Sequence, residues 1–153
     1  MLVAQGELPL DRHALVLDDS PVLRKVLRRS LSAEGWNVLS CARNEAAVHL
    51  SLLRRPDLVL LDISEPEYAP EAVATGLRIH YGPDLPILAM AAAPQPELMR
   101  RIGACGFVPK PLNVQRLVRI MERAQDLADR STRLRAHSEV ALDQIRHLRL
   151  LRP

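Results

Sequence analysis

Short apolar runs rich in Val, Ile and Leu alternate with longer stretches of helical periodicity along most of the chain, and this alternation restricts the fold more than any other feature. A parallel sheet connected by helices is covered on both faces, so its strands read as near-continuous apolar runs bounded by turn residues. The runs predict strands over 14–17, 37–41, 58–61, 87–90 and 106–108. Between the first two, Val22, Leu23, Val26, Leu27 and Leu31 recur at helical spacing, with Arg24, Lys25, Arg28 and Arg29 expected to face away, and Gly35 ends the helix. Asn44 is placed to cap a second helix that runs to Arg55 and stops at Pro56. Pro70 suits the first turn of a third, Pro94 to Pro96 open a fourth, and Asn113 caps a fifth.

At 153 residues the chain suits one domain with a proper core. Aromatic residues make up 3%, too few for a base-stacking surface, and the 21 basic residues are interleaved with 18 acidic ones rather than massed, so no nucleic-acid partner is expected. Cys41 and Cys105 lie in apolar stretches without metal-ligand spacing, which predicts buried free thiols in a reducing compartment. The start of the chain lacks a basic, then apolar, leader, and no apolar run approaches the roughly 20 residues of a membrane span. A cytoplasmic protein with no membrane partner is expected.

In an open parallel sheet, ligands bind at the carboxyl ends of the strands. Those ends carry Asp18-Asp19 after the first strand, Asp62 after the third, and Lys110-Pro111 after the fifth. An Asp pair before Ser20-Pro21 is ordinarily a helix cap, and a lone strand-terminal Asp or a Lys-Pro loop is ordinarily unremarkable. Their joint occurrence, each directly after a predicted strand, predicts three carboxylates and an ammonium on one edge of the sheet.

With Asp18-Asp19-Ser20, Leu58-Val59-Leu60-Leu61-Asp62 and Gly106-Phe107-Val108-Pro109-Lys110-Pro111, the chain resembles the response regulator receiver family. The resemblance implies a doubly wound α/β fold: a five-stranded parallel sheet of flavodoxin-like (βα)5 topology, strand order 2-1-3-4-5, with a C-terminal helical extension. It divides the chain into an N-terminal tail (1–11), a receiver domain (12–123) and the extension (124–153). It implies that Asp62 is the phosphoacceptor and that Lys110 contacts the phosphoryl group. Mg²⁺ would be held by Asp18, Asp19, Asp62 and the backbone carbonyl of Ser64, and Pro111 would be the candidate for a cis peptide bond. A sensor histidine kinase or phosphotransfer protein is the implied partner. The chemistry is consistent, since clustered carboxylates repel one another and a hard divalent cation relieves that repulsion. No metabolic catalysis is expected beyond the domain's own aspartyl phosphorylation and dephosphorylation.

Two positions depart from the family pattern. A Ser or Thr is usual at the end of the fourth strand, where Ala91 stands, and no Ser or Thr occurs between Thr75 and Ser131. Phe107 matches the family's switch aromatic, or is simply a core aromatic on an edge strand. After Asp62, Glu65 and Glu67 add charge, and Pro70 replaces the usual Gly.

Beyond Glu122 the sequence is charged, Ala/Leu-rich and free of Pro and Gly until Pro153, which predicts a helix that continues the fifth or breaks near Ser131-Thr132. Leu117, Ile120, Ala124, Leu127, Ser131, Leu134, Ser138, Ala141, Ile145 and Leu148 form a heptad seam. It points to a homodimer or partner docking through the C-terminal helix, against a helix folded back on its own domain; this segment is too short for a winged DNA-binding domain. The leading functional expectation is a stand-alone phosphorylatable receiver with an atypical switch. The alternative is a pseudo-receiver scaffold, not switched by phosphorylation. A conventional enzyme on the same fold is disfavoured by the lack of a Gly-rich phosphate loop or triad.

Overall fold

The computed structural model describes residues 11–42 and 54–150. Its elements, in chain order, are β1 (Arg12–Leu17), α1 (Pro21–Ala33), β2 (Trp36–Cys41), β3 (Leu58–Asp62), α2 (Pro70–Tyr81), β4 (Ile87–Ala91), α3 (Pro96–Ile102), β5 (Gly106–Pro109) and α4 (Val114–Leu150), with a short 3-10 turn at Pro66–Tyr68. The helix expected over 44–55 falls almost wholly outside the described residues. Each strand contains its predicted run and extends it by one or two residues.

The five strands are all parallel, in the order β2-β1-β3-β4-β5. This is the expected flavodoxin-like arrangement. The chain steps from β1 out to β2 and then back across to β3, so the order reverses at the β1–β3 pair, the place in open parallel sheets where ligands bind beyond the carboxyl ends of the strands. Alternation sorts the strand residues into two cores. Leu15, Leu17, Val59, Leu61, Ile87 and Ala89 meet Ala74 and Leu77 of α2 and Leu98 and Ile102 of α3. Ala14, Val16, Leu58, Leu60, Leu88 and Met90 face Leu27 and Leu31 of α1 and Leu117 and Met121 of α4. Complete burial of the β3 and β4 residues is what their unbroken apolar sequence required.

Ser20 caps α1, its hydroxyl accepting from the Leu23 amide at 3.2 Å, and Pro21 occupies the first turn. The buried face of this helix is narrower than its periodicity predicted. Leu27 and Leu31 are buried and Leu23 partly so, whereas Val22 and Val26 are 73% and 48% exposed. One residue along an α-helix is a rotation of about 100°, which carries the two valines off the core-facing stripe. Arg24 also departs from expectation: its guanidinium turns back and donates to the Asp18 carbonyl at 2.7 Å.

The two thiols are free, but not buried as expected. Cys41 is half-buried and Cys105 exposed. Cys105 lies in the turn entering β5, an edge strand, where one side lacks a neighbouring strand to cover it.

The last helix is continuous for 37 residues and does not break at Ser131-Thr132. Asn113 caps it, accepting from the Arg116 amide at 2.9 Å. Hydroxyls that compete with helical backbone are absorbed here, because Thr132 and Ser138 donate to the Ala128 and Leu134 carbonyls at 3.0 Å. Leu117, Met121 and Ala124 anchor the helix on the sheet, and Arg135 pairs with Asp84 about three turns beyond Ala124. From 132 to 149 every residue is exposed.

Candidate phosphoryl-acceptor site

Three strand ends build the site. Asp18 follows β1 directly and is 1% exposed; Asp62 is the last residue of β3 and is 5% exposed. Both side chains sit above the reversal in strand order because both follow apolar strands buried to their tips. Lys110 follows β5, its amide donating to the Ala91 carbonyl at 2.9 Å, which fixes the root of the side chain at the adjoining end of β4. The Lys110–Pro111 bond is cis.

The Lys110 ammonium lies 2.7 Å from Asp18 Oδ2 and 3.3 Å from Asp62 Oδ1, joining carboxylates that are 44 residues apart in sequence. Charge assistance makes such contacts strong where water is scarce. Asp18 Oδ1 also accepts from the Ser20 amide at 2.8 Å. Asp62 Oδ1 accepts from the Ser64 amide at 3.0 Å and from the Ser64 hydroxyl at 2.5 Å. With Lys110, these donors hold the plane of the Asp62 carboxylate.

The expected convergence of three carboxylates is only partly realised. Among the described residues, no group of three or more His, Cys, Asp or Glu side chains gathers as a metal site. Lys110 draws Asp18 and Asp62 together, while Asp19 is half-buried one residue further on. Two buried carboxylates against one ammonium still leave negative charge in excess, carried by hard oxygen donors. That donor set fits Mg²⁺, which takes carboxylate oxygens and retains several waters.

Ala91 ends β4 beside this cluster, buried, with its strand neighbour Met90 registered against Asp62. No hydroxyl is present at that strand end. Phe107 lies opposite Ala89 on β5 and packs, half-buried, against the core that includes Ala91. Glu65 and Glu67 are both exposed.

Two polar contacts near the site were not anticipated. Arg24 holds the Asp18 carbonyl, as above, and the Gln95 side-chain amide donates to the Ile63 carbonyl at 3.3 Å. The second contact spans 32 residues and no spacing foreshadows it; the first joins residues six apart and looks in sequence like any charge on a solvated helix face.

Comparison with known proteins bears on the family and the fold. The model of the response regulator receiver domain matches residues 14–122. The chain belongs to the response regulator receiver domain family. Response regulator MprA of Mycolicibacterium vanbaalenii is 36% identical over 109 residues, which are 68% of this chain and 46% of that protein. Chemotaxis protein CheY4 of Vibrio cholerae superposes with a TM-score of 0.67 at 24% identity, covering 74% of this chain and 98% of CheY4. The receiver domain of sensor histidine kinase PA1611 from Pseudomonas aeruginosa, solved with magnesium in its active-site cleft, gives a TM-score of 0.62 at 24% identity, over 76% of this chain and 98% of that one. The two solved structures speak for the fold. The chain spans about half the length of the curated relatives it matches. Receiver domains are signalling modules rather than metabolic enzymes; they work with histidine kinases or phosphotransfer proteins and typically bind Mg²⁺. Among the described residues, no helix is long and apolar enough to cross a membrane.

Proposed function

We propose that this receiver acts in the cytoplasm, accepting a phosphoryl group on Asp62 from a phosphohistidine of a sensor histidine kinase or phosphotransfer protein, and serves as a signalling or phosphorelay component. The observation that carries the reading is the Lys110 ammonium held between Asp18 and Asp62, which brings a nucleophilic carboxylate, a second carboxylate and a fixed cation to one strand edge. A carboxylate oxygen of Asp62 attacks phosphorus, the P–N bond to the donor imidazole breaks, and the imidazole keeps that electron pair and takes up a proton. The product is an acyl phosphate.

Lys110 lies where it can neutralise charge on the group in transit, and the Ser64 donors keep the Asp62 carboxylate oriented for attack. When bound, Mg²⁺ adds a second positive charge for the phosphoryl oxygens, and Asp18, Asp19, Asp62 and the Ser64 carbonyl are the groups that would hold it. Ala91 supplies no hydroxyl, so the acyl phosphate lacks one contact from β4 and the switch is atypical, with Phe107 remaining a packed aromatic. The exposed seam of the last helix, with Leu127, Leu134, Ile145 and Leu148 uncovered, is read as a homodimer interface. No role in binding nucleic acid or membrane is assigned.

Ala91 also favours a second reading, a constitutive interaction scaffold. Intact mass after incubation with Mg²⁺ and acetyl phosphate separates the two. Gain of one phosphoryl group by the wild type and none by Asp62→Asn is expected; no gain by the wild type, with Mg²⁺ bound, would favour the scaffold.

A further inference from the structure

We propose that Gln95 is a positioning residue that couples the β4–α3 connection to the charge on Asp62, through the single peptide unit joining Ile63 to Ser64. The inference rests on Asp62 being the phosphoacceptor. The connection after β4 reads Ala92-Ala93-Pro94-Gln95, so Gln95 carries its only polar side chain. It stands at the N-cap of α3, where a short side chain would ordinarily accept from the helix's own amides, but its side chain makes no such bond. Its Nε2 instead donates to the Ile63 carbonyl at 3.3 Å.

The carbonyl of Ile63 and the amide of Ser64 belong to one planar group. On its other side that group donates, through the Ser64 amide, to Asp62 Oδ1 at 3.0 Å. A chain of hydrogen bonds therefore runs from Gln95 through one peptide to the phosphoacceptor oxygen, and bonds in such a chain polarise one another. The unit is held firmly. The Ile63 side chain is fully buried and its amide donates to the Met90 carbonyl at 2.9 Å. Phosphorylation of Asp62 takes negative charge from the carboxylate and places it on the phosphoryl oxygens, so the Ser64 amide is drawn toward a new acceptor. A planar peptide cannot turn its N–H without turning its C=O, and the Gln95 contact then loosens or tightens with the start of α3. The strand end that lacks a hydroxyl is thus served by an amide from the loop beyond it.

The test is amide hydrogen exchange on the full chain, with and without Mg²⁺ and acetyl phosphate, in the wild type, Gln95→Ala and Gln95→Glu, with intact mass recorded on each sample. In the resting wild type the Ser64 amide is protected, and Gln95→Ala speeds its exchange about fivefold, the ratio set by one ordinary hydrogen bond, while β1 amides are unchanged. Phosphorylation changes exchange over 96–102 in the wild type. Both variants take up the phosphoryl group to the same mass yet leave 96–102 as in the resting chain. Variants that respond like the wild type, or a phosphorylated wild type with no change over 96–102, overturn the coupling alone. A wild type that gains no mass overturns the phosphoacceptor reading and the coupling with it, and the mass spectrum identifies that case directly.

Discussion

Lys110 holds two buried carboxylates in place, and its removal leaves their mutual repulsion unopposed. Lys110→Ala is expected to lower stability by about 2 kcal/mol in chelator, below the full cost of breaking a wholly buried pair because the ammonium is partly exposed. Millimolar Mg²⁺ should return part of that loss, measured as the shift in urea midpoint. Ala91 invites the opposite experiment. A hydroxyl at the end of β4 would add one charge-assisted hydrogen bond to the acyl phosphate, worth about 1.5–3 kcal/mol. Ala91→Ser, chosen because Ala91 is buried and a larger residue would overpack, should extend the acyl-phosphate lifetime by about tenfold or more, read from the decay of the phosphorylated mass. An unchanged lifetime would mean that this strand end does not face the phosphoryl group.

Among the elements, α3 is short and depends on its exit. Gly103 ends it in the left-handed region with φ 62°, and the Arg78 guanidinium reaches across from α2 to the carbonyls of Ile102 and Gly103. A Cβ on Gly103 would come within 3.1 Å of that guanidinium, in a conformation that already disfavours side chains. Gly103→Ala should therefore cost about 1–2 kcal/mol in thermal or urea unfolding, from strain together with the displaced cap. The strands were legible because burial on both faces writes itself as an unbroken apolar run, and Asp18, Asp62 and Lys110 were legible because each directly follows such a run. What stayed hidden depends on long side chains crossing between elements. Arg78 and Gln95 look like surface residues until α2, α3 and β3 are brought together. The rotation of α1 was equally illegible: Val22 and Val26 fit a helical period as well as Leu23, and only the position of the sheet decides which row faces inward.

Over the whole molecule, folding energy is concentrated ahead of the exposed half of the last helix. Shortening the chain to end at Ser131 keeps Leu117, Met121 and Ala124 in the core, so at protein concentrations low enough to keep the full chain monomeric its unfolding midpoint should match the full chain apart from the lost Arg135–Asp84 pair, worth well under about 1 kcal/mol at the surface. Its sedimentation should not match: the full chain is expected as a dimer and the shortened one as a monomer, and a monomeric mass for both would reject the homodimer. The unbroken run from the core to Arg149 also makes the helix a lever. From Ala124 to Arg149 the axis extends about 38 Å at 1.5 Å per residue, so a tilt of about 5° at the sheet sweeps the far end through about 3 Å. Motion too small to matter among the strands is thereby geared up to the width of a side-chain contact at the tip.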